Sequence, residues 1–379
     1  MNLRNLTIAE TVAALAPLGA NEMVARRVFA RVQRDGRRDF ENLAGLTAPT
    51  RKALEQQCVW PDLKVVERRQ SDDGFVKYLF ELTDGRTVEA VRIPLPDAED
   101  ARELKEQRKR GEASGLQALP TSKYTLCVSS QVGCALACDF CATGRLGGIR
   151  NLETWEILAQ HRLIAHEAAK PIRGIVFMGM GEPFLNYDNV IRAGQVFCDP
   201  AGPAIGAKAI TISTAGVVPM IKRFTEEQHN FRLVFSLGAP THDLRAQLMP
   251  IENRWPLPVL IDAIRGYADS TKQRITLAYV AVGGVNLSTD TAHALVKLTE
   301  GLKIKVNLID VTDGEGKYHA PSEDELGAFR EVLSAHGIPT VRRYSGGKDI
   351  GAACGTLAAT SQGGQLVELR PVNGSDISR

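Results

Sequence analysis

Gly133-Cys134-Ala135-Leu136-Ala137-Cys138-Asp139-Phe140-Cys141-Ala142-Thr143-Gly144 is the stretch that decides how this chain is read. Cys134, Cys138 and Cys141 are spaced C-x3-C-x2-C, which brings three thiolates round one tight loop. Thiolate-rich donor sets favour iron–sulfur clusters or zinc over hard cations. Structural zinc takes four protein ligands, and no fourth Cys or His lies close in this loop. A cluster held by three cysteines instead leaves one iron open to a small molecule. Burial of the three as plain core residues fits poorly with Gly133, Gly144, Gly147 and Gly148 in and beside the loop.

Outward from this loop, strand-like and helix-like segments alternate. Strands are expected at Thr125–Val128, Gly174–Met178, Ala209–Ser213, Leu233–Leu237, Ile275–Val282 and Lys305–Ile309. Helices are expected near 152–169, 187–197, 217–227, 256–270 and 289–300, and a last unit adds a helix at 322–336 and a strand at Thr340–Arg343. Such alternation means an α/β unit over 124–357 with a parallel sheet of six strands, an open or partial barrel. Chemistry in these folds sits at the C-terminal ends of the strands. The cysteine loop directly follows the first strand.

Upstream, residues 1–60 read as a small helical domain. Thr7 and Glu10 have the shape of a capping box ahead of Ile8, Val12, Leu15 and Leu18. A second helix, about Ala20 to Arg34, carries Val24, Val28, Phe29 and Val32 on one side. Its polar side presents Arg26, Arg27, Arg31 and Arg34, followed by Arg37 and Arg38. Acids look sparse around this run, so it reads as an RNA-contacting face; the alternative is an ordinary solvated surface. Residues 61–123 form a β extension. After Leu63, Val65 and Val66 come Val76, Tyr78 and Phe80 on one face and Lys77, Leu79 and Glu81 on the other. Asp84-Gly85 supplies a turn into a strand over Thr87–Ile93 that contains Glu89. Taken alone, a glutamate on such a strand faces water. A charged insertion at about 98–122 reads as an exposed helix or loop, and 358–379 as a disordered tail.

Bulk properties narrow the class. The 379 residues carry a net charge of only +2, so a nucleic-acid partner must be met by local basic patches. No span of 18 apolar residues occurs, and the N-terminus MNLRNLTIAE has no apolar signal core, so a cytoplasmic protein with no membrane contact is expected. Seven cysteines, three of them clustered, point to chemistry in a reducing compartment and not to a secreted disulfide framework. Cys58 and Cys198 read as small core residues, and none of the seven histidines shows ligand spacing.

Four segments carry a family resemblance: Cys127-Val-Ser-Ser-Gln-Val-Gly-Cys134, Val176-Phe-Met-Gly-Met-Gly-Glu-Pro183, Ser213-Thr-Ala-Gly-Val-Val-Pro219 and Asp349-Ile-Gly-Ala-Ala-Cys-Gly355. In this order they resemble the RlmN/Cfr family of radical S-adenosylmethionine (radical-SAM) RNA adenosine methyltransferases. The resemblance runs from about residue 3 to 357. It implies a partial (β/α)6 radical-SAM barrel with a small N-terminal helical domain and a short β extension. It also implies a 4Fe-4S cluster on Cys134, Cys138 and Cys141, with S-adenosylmethionine on the open iron. Gly181 and Glu182 would contact the methionine end of that cofactor, and Ser213, Ser236, Leu237 and Gly238 would line the rest of its pocket. Cys354 would carry a methyl group that becomes a carbon radical and adds to an adenine carbon. Glu89 would then remove the adenine proton, and Cys127 would attack the Cys354 sulfur, releasing product as a disulfide forms. The implied partners are RNA (23S rRNA, with tRNA as a further substrate) and an electron donor such as flavodoxin or ferredoxin, in a monomeric enzyme.

The chain departs from the family pattern in places. Gly238 stands where family members commonly have His, and Gly351 replaces the second aspartate of the Asp-Ile-Asp-Ala-Ala-Cys run. Thr312 stands where the family's Asn helps hold the cofactor. These changes spare every bond-making residue, which implies intact chemistry, most simply at adenine carbon 2, in a divergent subgroup. The rivals are a carbon-8 (Cfr-like) enzyme, a methyltransferase for another RNA, and a non-catalytic iron–sulfur or zinc RNA-binding protein.

Overall fold

The computed structural model describes residues 1–96, 121–313, 316–343 and 345–358. The expected insertion up to residue 120, and the expected tail beyond residue 358, lie outside the described residues.

The N-terminal domain is built from α1 (Ile8–Leu15), α2 (Glu22–Gln33) and α3 (Ala48–Gln57) around its own small core, which includes Leu15, Val24, Val28, Val32 and Leu54. The Thr7–Glu10 capping box is present, satisfying two amide groups that the first turn leaves open. The arginine run differs from its sequence reading. Arg26 pairs with Glu22 at 2.9 Å, Arg31 with Asp39 at 3.1 Å, Arg34 with Asp35 at 2.9 Å, Arg37 with Asp39 at 3.0 Å and Arg38 with Asp62 at 2.7 Å. Arg27 donates to the Ala44 carbonyl. The chain beyond α2 doubles back and brings acids to this face, so acids are less sparse there than the sequence suggests.

One ten-stranded sheet organises the rest. Strands β1 (Lys64–Gln70), β2 (Val76–Glu81) and β3 (Thr87–Pro96) are antiparallel and lead into β4 (Thr121–Cys127). A small hairpin, β5 (Gln131–Gly133) with β6 (Gly148–Asn151), stands apart and encloses the short helix α4 (Ala142–Arg145). From β4 the sheet runs parallel through β7 (Ile172–Phe177), β8 (Ile210–Thr214), β9 (Arg232–Ser236), β10 (Ile275–Ala281), β11 (Ile304–Asp310) and β12 (Thr340–Arg343). Between them lie α5 (Thr154–Glu167), α6 (Tyr187–Cys198), α7 (Val218–Glu226), α8 (His242–Leu248), α9 (Leu257–Thr271), α10 (Thr289–Leu298) and α11 (Glu323–Ala335). The expected six-strand sheet thus gains Thr340–Arg343 as a seventh parallel strand, and the β extension is continuous with the same sheet.

Strand register divides this sheet into two faces, because residues directly opposite one another point the same way. One face is apolar and helix-covered: Phe235 packs on Tyr267 of α9 with ring centroids 5.7 Å apart, and Tyr279 on Phe329 of α11 at 5.3 Å. The other face can be followed strand by strand. Lys77 opposes Val91, which opposes Cys127, then Val176 and Thr211. Ser213 opposes Val234, which opposes Thr276 and then Lys305. Glu89, Ser236 and Asn307 are two residues along from members of this chain and share its face. Residues from all parts of the sequence are therefore gathered on one surface.

Candidate active site

The C-terminal end of β4 leads straight into the cysteine loop, as the alternating pattern anticipates. The hairpin of β5 and β6 closes the loop at its base, where Cys134 N–H donates to the Gly147 carbonyl at 2.8 Å. Gly133 adopts φ +71°, and a Cβ there would run into the Gly147 carbonyl oxygen; only glycine fits. Cys141 N–H donates to the Cys138 carbonyl at 3.0 Å, which curls the loop so that the three thiols influence one another's ionisation. Burial pushes the Cys134 thiol up to about 12. It pushes Cys138 well above its ordinary range, with Cys134 and Cys141 adding to the effect. Ligation therefore has to displace protons. Among the described residues no three His, Cys, Asp or Glu side chains close round a single metal ion. The loop offers three sulfurs, one short of the four protein ligands that structural zinc takes.

The segment bearing Cys354 is stapled across this loop. Ala142 N–H donates to the Gly355 carbonyl at 2.8 Å and Thr143 Oγ1 to the Leu357 carbonyl at 2.6 Å. Cys354 N–H donates to Ser345 Oγ at 3.1 Å, leaving its sulfur on an exposed residue. Ala358 N–H donates to Glu89 Oε2 at 2.9 Å. Glu89 is fully buried, which overturns the solvent-facing expectation for it. Its other oxygen pairs with Lys77 Nζ at 3.0 Å. A carboxylate without water has to be matched this way. Gly351 lies beside the same ammonium, its Cβ position 3.3 Å from Lys77 Nζ. Cys127 is buried on the same face as Glu89. Burial, reinforced by the nearby Cys354 sulfur, pushes its thiol far above the ordinary range. No disulfide links any of the seven cysteines.

The remaining expected residues fall into two groups. Ser213 Oγ and Ser236 Oγ lie 3.2 Å apart on the helix-free face. Among the described residues, Asn307 Oδ1 on that face and Thr312 Oγ1 just beyond β11 are buried without a hydrogen-bond partner. Others are occupied by the protein itself. Glu182 accepts from Phe184 N–H at 3.0 Å and Ala215 N–H at 2.8 Å, tying the loops after β7 and β8 together, and burial pushes its carboxyl up to about 7. Gly181, at φ +97°, leaves room for Gln131, which would contact its Cβ at 2.5 Å. Leu237 is fully buried, with its N–H donated to Ala278 and its carbonyl accepting from Arg245. Gly238 has φ +74°, and a Cβ there would strike the Met249 sulfur. That leaves no room for the family's larger side chain.

Two features escape sequence inspection. Gln131 Oε1 accepts from Glu182 N–H at 2.7 Å, while its amide donates to Asn151 Oδ1 at 2.7 Å. The fully buried Arg245 pairs with Glu252 at 2.5 Å and donates to the Leu237 and Ala215 carbonyls at 2.9 and 2.7 Å. It holds two strand-end loops and places a cation near Cys138. Neither residue type announces a site; only the crossing of loops makes them one.

A model of the radical SAM superfamily matches residues 128–296. A probable RNA methyltransferase of Myxococcus xanthus is 48% identical over 97% of both chains. A dual-specificity RNA methyltransferase RlmN of Syntrophobacter fumaroxidans is 39% identical, over 94% of this chain and 98% of its own. The chain belongs to the RlmN/Cfr family of radical-SAM methyltransferases. A crystal structure of a radical SAM methyltransferase from Sphaerobacter thermophilus matches this RlmN/Cfr protein with a TM-score of 0.82 at 38% identity, over 95% of this chain and 100% of that one. Membership implies a 4Fe-4S cluster and S-adenosylmethionine. The residues fit both: three thiols in an open loop, with the unpartnered Thr312 and Asn307 oxygens and the serine pair on the adjoining face. No helix of the described residues is long and apolar enough to cross a membrane.

Proposed function

We propose that this radical-SAM methyltransferase methylates carbon 2 of an adenosine in large-subunit ribosomal RNA, with tRNA as a further substrate. Cys354 carries the methyl group to the base. The observation that supports this most strongly is the meeting of Cys354, Cys127 and Glu89, far apart in sequence, around one end of one sheet face.

Cys134, Cys138 and Cys141 hold the cluster, and Glu182, with Gly181, Ser213, Ser236, Leu237, Gly238 and Thr312, borders the S-adenosylmethionine site. When bound, these groups supply the methyl group and the radical chemistry that activates it. The protein's own residues do the rest. The Cys354 sulfur, accessible in a loop of small residues, bears the methyl carbon that becomes bonded to the adenine. Glu89, its charge matched by Lys77, accepts the proton leaving that adenine carbon. Once the adduct has given up its odd electron to the cluster, Cys127 loses its thiol proton and attacks the Cys354 sulfur. The sulfur–carbon bond breaks as a disulfide forms, its electron pair goes to the departing carbon, and that carbon takes a proton to become the methyl group. A flavodoxin- or ferredoxin-type donor would supply the single electron that starts the radical chemistry, and a dithiol reductant would return both sulfurs to thiols by exchange. The target base has to be unpaired or flipped, since its edge is closed within a helix.

The test supplies reconstituted enzyme with S-adenosylmethionine bearing a deuterated methyl group and total RNA, then maps the labelled nucleoside by mass spectrometry. Label at adenine carbon 2 is expected. Label at carbon 8 would make the enzyme Cfr-like, and RNA without label would overturn the reading. In the same assay Cys127→Ala should accumulate protein crosslinked to RNA.

A further inference from the structure

The helix-free face continues below the active site to the N-terminal ends of the parallel strands, where it changes character. Arg232 opens β9 and opposes Thr211 of β8. Arg274 lies two residues before Thr276, whose partner Val234 lies two beyond Arg232, so the two arginines share a level and a face. Lys305 opposes Thr276 from β11 on that face. Arg343 of the edge strand β12 shares the face but opposes Ile309, four residues further towards the C-terminal ends of the strands. Over β8 to β12 this face otherwise bears Thr211, Ser213, Val234, Ser236, Thr276, Ala278, Val280, Asn307, Ile309 and Val341, and no acid. Arg232, Arg274 and Arg343 are exposed and Lys305 is half-buried. Among the described residues none of the four pairs with a carboxylate. Burial, then Arg343, Arg232 and Arg274 in turn, lower the affinity of the Lys305 amine for its proton.

Four cations on one face with no carboxylate partner among the described residues oppose folding by mutual repulsion. The contrast with α2 is direct, since there five arginines each have an acid. We infer that the cationic flank of the helix-free face, with Arg232, Arg274 and Lys305 at its lower end and Arg343 further up on the edge strand, is where phosphates of the substrate RNA bind. The inference rests on the RNA methyltransferase reading and deepens it by assigning the anion contact to the sheet instead of the arginine helix. Arg232 and Ser236 are four residues apart on one strand, about 13 Å at the usual rise. A strand of RNA anchored at the lower end therefore has its neighbouring nucleotides within reach of the upper end, where the base reacts.

The experiment measures binding of the target RNA to the cluster-loaded enzyme across a range of salt concentrations. Arg232→Ala, Arg274→Ala, Lys305→Ala and Arg343→Ala combined should lower the salt slope of log affinity by roughly 3, from about 0.7 per lost phosphate contact on single-stranded RNA. At about 0.1 M salt this is a loss on the order of a hundredfold or more. Methylation of Cys354, which involves no RNA, should stay at the wild-type rate and certifies the fold. The exposed pair Arg274→Glu and Arg343→Glu serves if the fourfold variant fails to fold. Arg26→Ala, Arg34→Ala and Arg37→Ala combined should change the slope little. Wild-type affinity in the sheet variants would overturn the inference, as would a larger loss in the helix variant. If the wild-type enzyme itself binds and labels no RNA, the functional reading fails first and this one with it.

Discussion

The two ends of the helix-free face treat charge in opposite ways. At the upper end the charged groups nearest the chemistry are buried and matched: Glu89 lies between Lys77 and the Ala358 amide, and Arg245 between Glu252 and two carbonyls. At the lower end Arg232, Arg274 and Lys305 stand together, with Arg343 further up the edge strand, and among the described residues none of them pairs with a carboxylate. A site that performs chemistry has to be complete before its substrate arrives, because unmatched buried charge is costly and reorganisation slows reaction. A site that only grips a polyanion can leave its counter-charge to the ligand. The upper end should therefore govern turnover and the lower end affinity.

This division can be broken by experiments at the upper end, none of which should alter RNA affinity. Cys354→Ala has the largest expected effect: methylated RNA disappears, while the RNA dissociation constant stays at the wild-type value. Next comes the Lys77–Glu89 pair. Glu89→Gln should slow product formation by roughly 10²–10⁴-fold, the usual worth of a positioned base, and leave protein–RNA adduct in denaturing gels. Lys77→Met should do the same and cost about 3 kcal/mol in denaturant unfolding, since it strands a buried carboxylate. Lys77→Arg should recover part of both; full turnover in Lys77→Met would break the pairing of charge with chemistry. A smaller effect is expected at Thr312. Its buried hydroxyl is unpartnered among the described residues, so Thr312→Val should weaken S-adenosylmethionine binding severalfold, in line with about 1 kcal/mol for one hydrogen bond. Unchanged cofactor affinity would remove Thr312 from the site.

The smallest effect is a pH dependence at Glu182. Burial raises its carboxyl from 4.5 to about 7, so the folded chain holds that proton more tightly than the unfolded one. The stability this contributes is present below pH 4.5 and is lost as pH rises through about 7. Without cofactor, the wild type should lose melting temperature relative to Glu182→Gln across that interval. Parallel curves would show that the carboxyl keeps no proton there.

Local pattern made much of this legible. The Thr7–Glu10 cap, the strand and helix alternation and the position of the cysteine loop are all short-range consequences of side-chain period and turn chemistry. Glu89 was legible only through the resemblance, because its burial depends on the Cys354 segment, more than two hundred and fifty residues away, folding over it. Around α2 the acids are less sparse than the sequence suggests: Glu22, Asp35 and Asp39 are sequence neighbours of the arginines they pair, while Asp62 reaches Arg38 only through the fold.

Residue spacing alone thus determined the donor set, the alternating architecture and the family to which the chain belongs, since thiolate affinity and strand periodicity are properties of nearby residues. Tertiary structure alone decided which charges are matched and which stand open. Burial and ion pairing depend on what the folded chain places opposite each group, and strand register joins residues that no stretch of sequence holds together.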